Sequence, residues 1–264
     1  MPFHSNAQSQ LPNSTVSLRE LSIPAKALRA FQQGLDSLAM KDPAGSVPQF
    51  QRAISEFAGY YEAYDRMAAA YLKLWRIPEA EEAFRKSIQL SGGRYAHPLL
   101  ALGAILDGQR KFAEAASVVR QGLQLEPDSW TGHYYLGMAL FGLNRLQDAE
   151  KSAREALSRN ADFPNAQLLL ADIHLRRQDY RAVLADLDKY LKLVPQGETS
   201  EWAKSVRESA YRRIVASESG TQRAEPKSWI SCPRRLIDSK SLSRVSGRVG
   251  SAHERRASSI TAGK

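Results

Sequence analysis

The apolar residues of this chain follow helical spacing and return with a fixed period. Small residues recur at separations of 34, 35, 34 and 34 residues, namely Gly34, Ala68, Gly103, Gly137 and Ala171. A second series lies twelve residues after the first and consists of Ser46, Ala80, Ala115, Ala149 and Val183. A third series closes each unit with Ala58, Gly92, Pro127, Ala161 and Pro195. Three series that stay in phase predict a chain of stacked repeats.

Each repeat is predicted to hold two helices. In the fourth unit Leu136, Leu140 and Leu143 mark one face of a first helix, and Asn144 and Arg145 interrupt the pattern. The second helix of that unit carries Leu146, Ala149, Ala153, Ala156 and Leu157. No strand-like alternation of apolar and polar residues accompanies them. The periodicity therefore predicts an all-α fold.

The period and the changes in composition divide the chain into four regions. Residues 1–26 form a polar lead-in, and five repeats follow at 27–60, 61–94, 96–129, 130–163 and 164–197. Residues 198–213 are predicted to form a capping helix, with Trp202, Val206 and Tyr211 on its apolar side. Residues 214–264 contain eleven serines in 51 residues and no sustained period, so we expect a disordered tail.

Residues at fixed places in these units resemble the tetratricopeptide repeat (TPR) family. In the second unit the family's aromatic and small positions are filled by Tyr64, Ala68, Tyr71, Ala80 and Phe84. Pro127 and Pro195 match the closing proline of the family unit. The resemblance implies a right-handed α-solenoid of about five helix-turn-helix repeats. The lead-in resembles what precedes such repeats in longer bacterial chains.

The charge of the chain is concentrated near its C-terminus. The 264 residues contain 37 Lys and Arg against 28 Asp and Glu, which gives a net charge of +9 and an isoelectric point of about 9.7. From Ile214 onward there are ten basic and four acidic residues. This segment offers only Trp229 as an aromatic platform, so nucleic-acid binding through the tail is an alternative that we do not favour.

The sequence offers little support for targeting or covalent cross-linking. No apolar run is long enough to span a bilayer, and residues 1–24 do not have the pattern of a secretory signal. We expect a cytoplasmic protein, with a periplasmic or secreted location open if a signal is missing from this chain. Cys232 is the single cysteine, so an internal disulfide is excluded.

No set of residues points to catalysis or to metal binding. His97, His133 and His174 lie on successive units, and no paired Cys or His spacing typical of a zinc site occurs. We interpret His133 and His174 as packed structural residues, and His97 stands at the start of a first helix. The sequence thus predicts a protein that is not an enzyme and that uses neither a cofactor nor a metal.

The family resemblance places six apolar residues on the inner face of the solenoid. They are Leu100, Ala104, Tyr134, Met138, Phe141 and Leu168. If they are exposed together, they suit a peptide or helix of a protein partner, which makes the chain an adaptor or scaffold. Three alternatives stay open. In the first, these residues serve only to pack against neighbouring helices. In the second, the chain is an accessory region of a larger bacterial enzyme or envelope-assembly protein. In the third, the tail binds nucleic acid. The oligomeric state is left undetermined.

Overall fold

The computed structural model describes residues 22–219, which form eleven helices. In chain order these are α1 (Ala25–Ala39), α2 (Pro43–Glu56), α3 (Tyr61–Lys73), α4 (Ile77–Ser91), α5 (Ala96–Gly108), α6 (Phe112–Leu125), α7 (Trp130–Gly142), α8 (Leu146–Arg159), α9 (Pro164–Arg176), α10 (Tyr180–Leu193) and α11 (Glu198–Glu218). No strand occurs within residues 22–219. The prediction of an all-α solenoid of helical hairpins is confirmed.

The first ten helices form five hairpins, one for each repeat. Helix α1 begins at Ala25, two residues before the predicted start of the first unit. Several helices begin where the sequence supplies a local signal. Pro43 and Pro164 stand at the first position of α2 and α9, where the missing N–H costs little. The side chain of Asp179 caps α10 by accepting from the backbone N–H of Ala182.

The turn inside each hairpin uses the same backbone conformation. One residue in each of the five turns is left-handed, with φ between 59° and 63°, and these residues are Lys41, Trp75, Arg110, Asn144 and Gln178. Asparagine is well suited to this conformation, whereas a bulky tryptophan is strained there. The shared turn places all five hairpins in the same register along the solenoid.

The recurring small residues let the two helices of a hairpin approach closely. All five members of the first series are buried. A Cβ atom added to Gly34 would lie only 2.5 Å from the ring of Phe50, which is itself fully buried in α2. Four of the five members of the second series, from Ala80 onward, are hydrophobic and have no exposed surface. Close packing of small against large side chains therefore explains the period of the sequence.

First helices of neighbouring repeats contact each other, as α5 does with α7 and α7 with α9. The second helices lie on the other side of each hairpin and contact the following first helix. This arrangement gives the solenoid an inner face made from first helices and an outer face made from second helices. The candidate binding residues lie on the first helices of the third, fourth and fifth repeats.

Helix α11 covers the last repeat. Ala203, Val206 and Ala210 of α11 pack against Leu187 and Tyr190 of α10. The helix extends to Glu218, five residues past the predicted end at residue 213, because its last two turns still make contacts to the final hairpin.

Two of those contacts come from charged side chains in the last turns of α11. Arg213 lies 5.5 Å from the ring centre of Tyr180, and Glu218 accepts from Arg181 at 2.8 Å. Tyr211, which was predicted for the apolar side, is 54% exposed. The segments 1–21 and 220–264 lie outside the described residues, so the predicted disorder of the tail stays a prediction beyond residue 219.

Candidate functional site

Three of the six predicted groove residues lie partly open on the inner face. Tyr134 and Met138 belong to α7, Leu168 belongs to α9, and each is half-buried. Tyr134 and Met138 contact two separate core clusters, one extending toward the earlier repeats and one toward α9. These side chains are therefore anchored at their base while part of their apolar surface stays accessible.

The other three predicted groove residues are buried. Leu100, Ala104 and Phe141 are 2%, 6% and 4% exposed. For these three residues the structure matches the alternative that they pack against neighbouring helices, so the six do not form one exposed patch. The side chain of Leu100 fills the space beside Gly122 and Gly132, where glycine leaves room for a branched residue between α5, α6 and α7. Its role is packing between repeats.

Phe141 is covered by a charged side chain of the next repeat. The guanidinium of Arg176 lies 4.1 Å from the centre of the Phe141 ring, and its Nη1 donates to the backbone oxygen of Phe141 at 3.4 Å. Such a cation over an aromatic face is favourable, and Arg176 itself is exposed. Arg176 therefore places a positive charge one helical turn from Met138, a contact that the sequence did not predict.

Tyr134 is held by aromatic neighbours. Its ring meets Phe163 edge-to-face with 4.9 Å between centroids, and Phe163 in turn contacts Trp130 at 4.6 Å. Edge-to-face packing of this kind fixes the orientation of a ring. Tyr134 is thus a rigid element of the inner face, whereas the unbranched Met138 beside it can adapt its shape.

A buried polar cluster joins the first helices of the second and third repeats. Asp65 of α3 is fully buried and shares a 2.6 Å hydrogen bond with Nδ1 of His97 on α5. The hydroxyl of Tyr95 donates to the same carboxylate at 3.2 Å. Burial, followed by the charge of Asp65, raises the pKa of Tyr95 well above its usual value. Tyr95 is therefore a neutral donor at physiological pH.

Positive charge lies beside this polar cluster. The guanidinium Nε of Arg66 is 3.8 Å from the Asp65 carboxylate. Burial, with a smaller effect of the Arg66 charge, lowers the pKa of Lys73 on the same helix. The first helices of the second and third repeats are therefore joined by a polar, charged cluster, whereas Tyr134, Met138 and Leu168 put apolar side chains on the first helices of the fourth and fifth.

His174 belongs to a charged network of the last two hairpins. Its Nδ1 lies 2.6 Å from a carboxylate oxygen of Asp186, and its Nε2 lies 3.4 Å from Glu150. The hydrogen bond to Asp186 raises the pKa of His174, although desolvation opposes the shift. Arg154 and Arg177 also donate to Glu150. His174 is thus a structural residue that links α8, α9 and α10.

The remaining histidine of interest has a local role. Nε2 of His133 lies 2.8 Å from the backbone oxygen of Pro127 in the preceding inter-repeat turn. Within residues 22–219, no group of three or more His, Cys, Asp or Glu side chains is arranged to hold a metal ion. The same part of the chain holds no helix that is long and apolar enough to cross a membrane.

The family model for the tetratricopeptide repeat matches residues 100–162 and 138–198. These two overlapping matches cover the third, fourth and fifth hairpins, where the small positions and Pro127 carry the pattern. Residues 100–198 are therefore a tetratricopeptide repeat region. The first two hairpins have the same turn and the same buried small residues as the matched ones.

Solved TPR structures share this fold at low sequence identity. PilF of Pseudomonas aeruginosa superimposes with a TM-score of 0.60 at 18% identity, over 74% of this chain and 93% of that chain. YrrB, described as a TPR protein with an unusual peptide-binding site, superimposes with a TM-score of 0.56 at 16% identity, over 68% of this chain and 92% of that chain. At such identities the likeness concerns the fold.

A human protein also resembles part of this chain. The protein O-mannosyl-transferase TMTC1 of Homo sapiens is 23% identical over 137 residues, which is 52% of this chain and 15% of that protein. The chain therefore spans a small part of the length of this curated relative.

Proposed function

We propose that this protein is a non-catalytic scaffold that binds an apolar segment of a protein partner on its inner face. The observation that carries the proposal is the grouping of Tyr134, Met138 and Leu168 on two adjacent first helices, with part of each side chain accessible. A rigid aromatic ring beside an adaptable methionine is a combination that binds apolar anchors of a peptide well.

Charge beside the apolar surface favours a particular partner. Arg176 is exposed and stacks on Phe141, which lies one helical turn from Met138. A carboxylate on the partner next to its apolar anchors can pair with this cation. The partner segment that fits best is therefore apolar in its middle and acidic at a flank.

Solved structures with the same fold support the proposal. YrrB is described as having an unusual peptide-binding site, and PilF has the same fold over 93% of its chain.

A peptide-display selection tests the proposal directly. Random peptides are selected on the immobilised full chain and counter-selected on the Met138→Glu, Leu168→Glu double variant. We expect enriched peptides with apolar anchors whose affinity, measured by fluorescence anisotropy, falls about ten-fold or more in the variant because a carboxylate replaces an apolar contact. Far-UV circular dichroism checks that the variant is folded.

A matched control uses the outer face of the same hairpin. Gln147→Glu, Lys151→Glu introduces two carboxylates at exposed positions of α8 and should leave the affinity unchanged. Peptides that bind the wild type and the inner-face variant equally well would contradict the proposal.

A second candidate function follows from the match to TMTC1. The shared 137 residues form only 15% of that transferase, so the chain could serve as the repeat region of a larger enzyme or envelope-assembly protein. Genomic DNA sequenced upstream of Met1 tests this alternative, because an open frame continuing into the repeats would favour it.

A further inference from the structure

The five turns inside the hairpins form one edge of the solenoid, which we name the basic edge. It consists of residues 40–42, 74–76, 109–111, 143–145 and 177–179. Six of these fifteen residues are cationic, namely Lys41, Arg76, Arg110, Lys111, Arg145 and Arg177. Only two are acidic, and the carboxylates of Asp42 and Asp179 are both engaged in capping the following helix.

The positive charge of this edge is not a property of the whole solenoid. Residues 22–219 hold 26 Lys and Arg against 24 Asp and Glu. At the opposite edge, the turns between hairpins contain a single cation, Arg94, against Glu126, Asp128 and Asp162. The fold therefore separates charge, with one edge positive and the other negative.

Large apolar side chains project from the basic edge. Met40 is 80% exposed, Trp75 is 58% exposed and Leu143 is 38% exposed. Trp75 occupies the left-handed turn position, which asparagine fills in the fourth repeat, and so keeps a strained backbone while presenting its ring to solvent. Exposed apolar groups of this size mark interaction sites more often than they serve stability.

Part of the positive charge is free to meet an external anion. Arg76, Arg145 and Arg177 pair with Glu79, Asp148 and Glu150 of their own or the preceding hairpin. Lys41 and Arg110, which stand in the turns on either side of Trp75, form no ion pair with other residues of the 22–219 segment. The apolar tips at Met40 and Trp75 are thus flanked by unpaired cations.

We propose that the basic edge docks on the surface of a membrane that contains anionic lipids, with Trp75 and Met40 at the level of the headgroups. Tryptophan favours the boundary between water and hydrocarbon, and lysine and arginine near it attract acidic headgroups. Neighbouring helices pack about 8–10 Å apart, so the row of five turns extends over about 30–40 Å.

A membrane fits this edge better than a nucleic acid does. Trp75 is the single aromatic residue among the fifteen turn residues, whereas strands of nucleic acid are bound by several stacking rings. Met40 and Leu143 add exposed apolar surface that a phosphate backbone does not use. The inner face stays open in this orientation, so membrane docking and partner binding are independent and can fail separately.

Vesicle binding of the full chain tests the proposal, since the basic segment after residue 219 is then present in every variant. Flotation with phosphatidylcholine vesicles containing about 30% phosphatidylserine should show binding, and the Met40→Asn, Trp75→Asn variant should partition about ten-fold more weakly. In a Trp229→Phe background, brominated lipids should quench fluorescence, and the quenching should disappear with Trp75→Asn.

The matched control carries the same chemical change at the opposite edge. Leu125 and Leu193 are 43% and 37% exposed at the ends of second helices, and Leu125→Asn, Leu193→Asn should bind the vesicles like the wild type. Equal binding by the basic-edge variant would overturn the proposal and assign binding to the C-terminal segment. Absence of vesicle binding, with weaker binding of the variant to single-stranded DNA, would overturn it in favour of a nucleic acid.

Discussion

Asp65 and His97 lie on first helices of adjacent repeats and share a buried hydrogen bond of 2.6 Å. Asp65 has no exposed surface and His97 is 3% exposed, so the bond is shielded from water. Because α3 and α5 belong to different hairpins, this pair acts between repeats and adds a specific polar contact to an otherwise apolar interface. It fixes how the second repeat meets the third.

Replacing His97 with alanine should destabilise the protein strongly. The change leaves the Asp65 carboxylate buried with fewer partners, and removing one member of a buried pair costs about 3–5 kcal/mol. Urea unfolding followed by circular dichroism measures the loss. The matched control is Arg145→Ala, which removes an ion pair to Asp148 whose side chains are 53% and 50% exposed, and should cost less than about 0.5 kcal/mol. Equal losses of unfolding free energy in the two variants would show that the buried Asp65–His97 pair stabilises the protein no more than an exposed ion pair does.

His174 should make stability depend on pH. The hydrogen bond to Asp186 raises the pKa of His174 in the folded protein. The stabilisation that protonated His174 contributes is therefore complete below its unfolded-state pKa of 6.5, and it is lost as the pH rises through its folded-state pKa. The difference in unfolding free energy between the wild type and His174→Gln should therefore be larger at pH 5.5 than at pH 9.

The partner residue provides the control for this pH dependence. In an Asp186→Asn background, the same comparison should show a much smaller change with pH, because the largest cause of the raised pKa is gone. A pH dependence that survives in this background would assign the effect to other groups.

Trp75→Asn should make the protein more stable. The residue has φ of 59°, where a bulky side chain is strained and asparagine is tolerated, so we expect a gain of about 1 kcal/mol. The reciprocal change Asn144→Trp, in the equivalent turn of the fourth repeat, should lose a similar amount. Thermal unfolding of both variants measures the effect. A destabilised Trp75→Asn variant would mean that contacts of the ring outweigh the backbone strain.

Gly34→Ala should disturb the first hairpin. The added methyl group would lie 2.5 Å from the ring of Phe50, and overpacking of this kind costs about 1–3 kcal/mol. Phe50→Leu in the same chain makes room for the methyl group, so the double variant should lose less stability than the sum of the single changes. Strictly additive losses, measured by urea unfolding, would show that Phe50 and Gly34 are not coupled.

The sequence predicted the helices well because the repeat period of the sequence and the close packing of the helices have the same cause. Gly34 and Ala80 are small since a neighbouring helix leaves no space, and that requirement is visible as a repeated residue type. The end of α11 was misplaced by five residues, because the ion pair of Glu218 with Arg181 joins residues 37 positions apart and leaves no local pattern.

The candidate site was predicted less well, because the place of a residue in the repeat pattern does not determine how exposed its side chain is. Leu100 and Tyr134 occupy equivalent inner positions, yet Leu100 is buried beside two glycines and Tyr134 stays half-open. The cover of Phe141 by Arg176 depends on a contact across 35 residues. The unusual turn residue Trp75 is visible in the sequence, since the equivalent place in the fourth unit holds Asn144, a residue typical of left-handed turns.

Site-specific photocrosslinking in cells tests the central claim, that the inner face binds a protein partner, most directly. A photoreactive phenylalanine analogue at Met138, compared with the same analogue at the exposed Lys151 on the outer helix of that hairpin, reports which face is occupied. The account predicts a discrete crosslinked partner at position 138 that is lost with Leu168→Glu. A crosslink that forms equally at position 151, or that is unaffected by Leu168→Glu, would contradict it.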